Sequence, residues 1–163
     1  MDTAMSARPR VRTAAALACL AVLAPAMMTA GCGSSRPGAA VPASAIPSLA
    51  AIARRAAKAN DDPVPAQVTV VLTTHQKALT SATPGDTVPG TGGVRVYLLT
   101  MVGRFTAGGA SIPSGATAPT GRYLSIVVDA KTFRVMDLGL SHRPPPVSPA
   151  SLGPLTYLTG HRP

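Results

Sequence analysis

The stretch YLSIVVDAKTFRVMDLGL, residues 123–140, decides the fold. Two runs rich in β-branched and large apolar residues, Tyr123–Asp129 and Phe133–Leu140, flank the very short connection Asp129-Ala130-Lys131-Thr132. Two strands joined this tightly make an antiparallel hairpin, and the Asp129 side chain is suited to hydrogen-bond the turn backbone.

Upstream of the hairpin, VRVYLLTMVGRF (94–105) is the longest strand candidate. Val96, Leu98, Thr100 and Val102 point one way, and Arg95, Tyr97, Leu99 and Met101 the other. Both faces are substantially apolar, which predicts a central position, with Gly103 marking a bulge or a close approach. QVTVVLTT (67–74) alternates Val68, Val70 and Leu72 against Thr69, Val71 and Thr73 and predicts a half-buried strand with His75 exposed at its end. Two Gly/Pro/Thr-rich loops are expected, Thr80–Gly93 and Thr106–Gly121; the second holds no charged residue and is long enough to be a binding loop.

Before the first strand, Ser48 is placed to cap a helix whose apolar positions Leu49, Ile52, Ala53, Ala56 and Ala59 share one face. Arg54, Arg55 and Lys58 occupy the solvated side, and Asn60-Asp61-Asp62-Pro63 ends the helix. The predicted class is therefore α+β: one N-terminal helix packed on a mostly antiparallel sheet of about four strands ending in a hairpin, over residues 48–141. Residues 142–163 read as a Pro-rich tail of extended course, from which Leu152, Leu155, Tyr157 and Leu158 can dock.

The N-terminal third decides the address. Arg8, Arg10 and Arg12 precede an uncharged apolar segment, Ala14–Met28, of signal-peptide length and too short to span a bilayer of about 30 Å. Thr29-Ala30-Gly31-Cys32 follows. This stretch resembles the lipobox of bacterial lipoproteins, with Thr29 where leucine is usual. The resemblance implies that residues 1–31 are a lipoprotein signal peptide, that Cys32 receives a diacylglyceryl group, and that the chain is anchored to membrane lipid on the extracytoplasmic face. An ordinary secretory signal cut after Ala26 or Ala30 would instead leave Cys32 a free thiol, and an uncleaved anchor fits poorly on length. Residues 32–47 are small and Pro-punctuated and read as a flexible tether holding the domain off the membrane.

The hairpin carries a second resemblance. Val128, Asp129, Ala130, Thr132 and Val135 match the Val-Asp-Ala-x-Thr-Gly-x-Val turn of PepSY-type domains, with Phe133 standing in the glycine position. The resemblance implies a helix-then-strands module of interaction or inhibition outside the cytoplasm; that glycine position usually takes φ > 0, which Phe adopts poorly. The whole chain also resembles small Ala/Pro/Gly-rich lipoproteins of actinobacterial type.

Composition narrows function. The formal charge is +9, from 15 Lys and Arg against six Asp, with no Glu at all. Removal of residues 1–31 takes away three Arg and one Asp and leaves +7. The cations are scattered and no aromatic residues interleave with them, so the charge predicts attraction to anionic lipid or cell-wall polymer and no nucleic-acid site. Cysteine is confined to Cys19 and Cys32, so a mature domain has no disulfide framework. His75, His142 and His161 show no metal-ligand spacing, and no cofactor motif occurs: Gly90-Thr91-Gly92-Gly93 and Gly108-Gly109 lack the following helix start and Lys of a phosphate cradle. A triad can be written from Ser125 or Ser111, His75, and Asp86 or Asp137, but no nucleophile-elbow motif supports it. Asp61-Asp62 default to a helix-end role.

These readings predict a non-catalytic binding or accessory module of the cell envelope, partnered by an envelope protein or anionic polymer. A small envelope hydrolase or metal-dependent enzyme, and a purely structural surface protein, are the alternatives.

Overall fold

The structure, a computed structural model, describes residues 38–159 except 84, 86, 88, 108–110 and 112. The signal-peptide and lipobox readings, with Cys19 and Cys32, lie outside the described residues. All of the latter belong to one of the chain's two compact units, residues 34–163.

Five strands form one antiparallel sheet: β1 Gln67–Thr74, β2 Arg95–Thr106, β3 Thr120–Asp129, β4 Val135–Ser141 and β5 Thr156–Thr159. Their spatial order is β4-β3-β2-β1-β5. Helix α1, Ile46–Ala59, lies on one face, and a second helix, α2, His75–Ala82, lies on the other. The predicted α+β class, the N-terminal helix on the sheet and the hairpin β3–β4 are all present, with one strand more than expected.

Period-two alternation explains the two cores. Val68, Val70 and Leu72 from β1, Tyr97, Leu99, Met101 and Phe105 from β2, and Leu124, Ile126 and Val128 from β3 meet Leu49, Ala53 and Ala57 of α1. Small alanines let the helix lie close on the sheet. Ala59, expected on this face, is exposed, and Ala57 takes a buried place instead. On the opposite face Val71, Val96, Leu98 and Val127 pack with Ala78, Leu79, Leu152 and Leu155. Being buried on both faces, β2 occupies the centre of the sheet, as its sequence predicts. Gly103 sits at the expected bulge, where the β2–β3 register shifts between Val102 and Phe105. It is also a close approach, because a Cβ there would collide with the Asp62 carboxylate. That carboxylate accepts a 2.7 Å bond from the Arg104 N–H and pins the end of α1 to β2.

Three expectations need correction. The tether reading of residues 32–47 fails for its second half. Val41 and Ala45 are buried core residues, Ala43–Ala45 forms a 3-10 turn, and α1 begins at Ile46 with Pro47 in its first turn. The loop predicted for Thr80–Gly93 begins late, because His75–Ala82 is helical. The tail docks through Leu152, Leu155 and Leu158 as expected, but it belongs to the domain rather than lying outside it. Ser81 donates a 2.7 Å bond to the Val147 carbonyl, Pro149–Ser151 is a 3-10 turn, and β5 extends the sheet beside β1.

Candidate functional site

β1 hands directly to α2 at Thr74, which caps the helix without a side-chain bond. The capping comes from the Gly-rich loop instead. The carbonyls of Val94 and Gly92 accept the first two helix N–H groups, of His75 (2.8 Å) and Gln76 (3.1 Å). The loop is thereby held over the helix start, and its Thr91 hydroxyl lies 3.2 Å from His75 Nδ1. The other ring nitrogen, Nε2, lies 2.7 Å from Asp137 Oδ2 on β4. An ionised carboxylate only accepts, so Nε2–H donates to Asp137 and the Thr91 hydroxyl donates to Nδ1 in the neutral tautomer. His75 is only 4% exposed, contrary to the exposed strand-end residue expected. With both nitrogens engaged it clasps the β1–α2 junction, the Gly-rich loop and an edge strand together.

Of the triad residues named from sequence, His75 and Asp137 meet. Ser125 is buried on β3 and lines a small cavity of about 170 Å³ with Leu79, Val127 and Asp137, but that cavity is not lined by His75 or Thr91. Ser111 is exposed on its loop, and Asp86 lies outside the described residues. The hydroxyl that does reach the imidazole, Thr91, was not foreseeable, since no local pattern joins residues 16 positions apart. His142 is exposed and His161 lies outside the described residues. Among the described residues, no group of three or more His, Cys, Asp or Glu is placed to hold a metal ion, and no helix is long and apolar enough to cross a membrane.

The second feature is the β4 edge. β4 pairs with β3 on one side, and no described strand pairs with its other side. Exposed large apolar side chains concentrate here: Val135 (51%), Met136 (37%) and Leu138 (51%) are three of five in the described chain. Of β4, the α1-side core receives only the half-buried Leu140, while α1 and the first residue of β4 line a shared recess. This recess is a groove of about 470 Å³, floored by Ile52, Ala56, Phe133 and Val135 and flanked by Arg55 and Arg134. No carboxylate lines it.

The charges elsewhere reinforce this picture. Asp62 is bonded to Arg104 N, and Asp137 to His75. Asp129 Oδ1 accepts from the N–H groups of Lys131 (2.9 Å) and Thr132 (2.7 Å) and from the Thr132 hydroxyl (2.9 Å), fulfilling its predicted turn role. The Thr132 backbone and hydroxyl bonds hold the Asp129 carboxyl below its ordinary pKa. Burial pushes the Tyr97 phenol up, against a smaller opposing effect of Arg95. Three of the four described Asp are thus used internally, while the single ion pair among the described residues is His75–Asp137. Among the described residues, the Lys and Arg side chains are left without ion pairs.

Compared with known proteins, the chain matches no family model, no curated protein and no solved structure.

Proposed function

We propose that the protein is a lipid-anchored, extracytoplasmic, non-catalytic binding module of the cell envelope that presents the β4 edge to its partner. The observation that carries this reading is the concentration of exposed apolar side chains on one unpaired edge strand. Soluble domains ordinarily blunt such edges with charges, Pro, bulges or very short strands. β4 has seven residues without Lys, Arg or Pro, its one charge, Asp137, is bonded to His75, and its bulge against β3 is confined to the Val135 end. β5, the other edge, is only four residues long and follows Pro154. The anchor follows from the lipobox-like stretch ending at Cys32, because two acyl chains hold a protein durably where one does not.

Each half has its own test. Cys32→Ala should abolish incorporation of labelled fatty acid and release the protein from membranes or leave it unprocessed; unchanged membrane association overturns the anchor. A photo-crosslinking residue at Met136 should give a discrete adduct in intact cells that the same residue at Thr117, on the far loop, does not. Adducts of equal yield from both positions overturn the β4 surface.

A second reading has one specific observation in its favour. Carboxylate, imidazole and hydroxyl follow one another at Asp137, His75 and Thr91, the order used to activate a nucleophilic oxygen. A hydrolase of this kind would be labelled by a fluorophosphonate at Thr91, and Thr91→Ala would remove the label. The binding reading requires that no label appear.

A further inference from the structure

The open β4 edge, resting on the binding reading above, has a chemistry that selects its occupant. We propose that it accepts an extended acidic–apolar polypeptide segment of another protein as a sixth strand. An unpaired strand edge recognises extended backbone through ladder hydrogen bonds, and pockets beside it select alternate side chains. Here both faces beside the edge carry a recess. On the α1 side lies the larger groove, with Ile52, Phe133 and Val135 as apolar floor. On the α2 side lies the smaller cavity by Leu79, Ala82 and Gly139, whose one carboxylate, Asp137, is bonded to His75. The apolar side chains of the strand therefore belong on this face and the acidic ones on the other.

Charge fixes the rest. The α1-side groove is flanked by Arg55 and Arg134, both exposed, with no carboxylate in its lining and no ion pair to either guanidinium. A strand placing acidic and apolar residues alternately along the edge meets both requirements. A second copy of this chain does not. The described Asp residues are almost all bonded internally, the chain has no Glu, and copies carrying net positive charge repel one another.

The test uses the purified protein in mild detergent and three capped fluorescent peptides. One alternates Glu and Val, one alternates Lys and Val, and one is the Glu/Val peptide with N-methyl groups on alternate amides. The Glu/Val peptide should bind about tenfold more tightly than the Lys/Val peptide, the scale expected when two partly exposed charge contacts change sign. Added salt should narrow that gap. The N-methylated peptide should lose binding, because it cannot complete the ladder. Arg55→Gln and Arg134→Gln should each weaken the Glu/Val peptide several-fold and slightly tighten the Lys/Val peptide, by relieving its repulsion.

Equal binding of the acidic and basic peptides overturns the charge assignment, and undiminished binding of the N-methylated peptide overturns strand addition. Sedimentation showing a dimer that Leu138→Lys converts to monomer makes a second copy the occupant and overturns the proposal. A discrete Met136 adduct in cells combined with failure of all three peptides leaves β4 as the surface and refutes only its acidic-strand partner.

Discussion

Phe133 adopts φ +57°, a region that favours glycine, at the turn position where the PepSY-like pattern has glycine. A non-glycine residue there costs of order 1 kcal/mol. The ring offsets that cost by stacking on Tyr97, with centroids 5.9 Å apart and planes inclined by 21°, and by packing against the α1-side core. Burial and stacking of an aromatic ring contribute about 2–3 kcal/mol. Phe133→Gly therefore relieves the backbone and still destabilises, by about 1–2 kcal/mol. Phe133→Ala keeps the strained backbone without the ring and should be the worse of the two, an ordering that urea midpoints will check. Asp129 supplies the complementary prediction. Its carboxyl titrates below the ordinary value in the folded chain, so the ionised form is favoured by folding. That stabilisation is fully present above about pH 4, the usual carboxylate range, and is lost as pH falls through the depressed folded value. Asp129→Asn should flatten the acid limb of a stability-against-pH curve and leave its neutral limb parallel to the wild type. The Asp129 role was legible in sequence because every group its carboxylate bonds lies within three residues. The clasp of His75 was not legible, because Asp137 is 62 residues away and the sheet alone brings them together.

Elements were readable where a periodic apolar pattern existed and hidden where packing used small or polar side chains. β1 was expected at its observed bounds, and β2 and β3 shift by a few residues at their ends. α2 escaped notice because its buried positions are His75, Ala78 and Ser81, a stripe without a single large apolar residue. The strap Gly38–Pro42 and the tail leading into β5 are hidden for a related reason, since Gly- and Pro-rich segments carry no period even when they pack, and β5 itself is only four residues long. Two predictions belong at this scale. Gly153 passes backbone to backbone against Gly38, and a Cβ at 153 would stand 2.8 Å from the Gly38 Cα. Gly153→Val should destabilise the domain by about 1–3 kcal/mol, the usual cost of overpacking, and speed hydrogen exchange at Val41. Beneath α2, the hydroxyls of Thr73 and Thr100 are buried without a partner. Thr100→Val replaces such a group by one of the same shape, and should leave stability unchanged or raise it by about 1 kcal/mol, read from thermal melts at neutral pH.

At the scale of the molecule, the fold class follows from four strand patterns and one helix pattern, and function follows less far. The domain's covered faces explain why. With α1 over one side of the sheet and α2 plus the docked tail over the other, the exposed apolar side chains gather mainly at an edge, and an edge strand looks in sequence like any other. His75→Ala tests how firmly that edge is held. Loss of a buried imidazole bonded to a carboxylate should cost about 2 kcal/mol in urea unfolding and loosen exchange in β4 before β1.

On the proposed anchoring through Cys32, the docked strap has a consequence for geometry at the membrane. Gly38 already lies against the domain, so only the six peptide units from Cys32 to Gly38 separate an acylated cysteine from it. At full stretch they reach about 21 Å, less than the width of about 35 Å expected for a domain of this size. An anchored copy is therefore moored close rather than floated on a line. Its turning is restricted, its far end cannot touch the lipid, and the bearing of the β4 edge to the bilayer plane is set by where the strap leaves the sheet. A partner strand arriving at β4 would meet a receptor with a heading, and lengthening the segment before Gly38 would take that heading away.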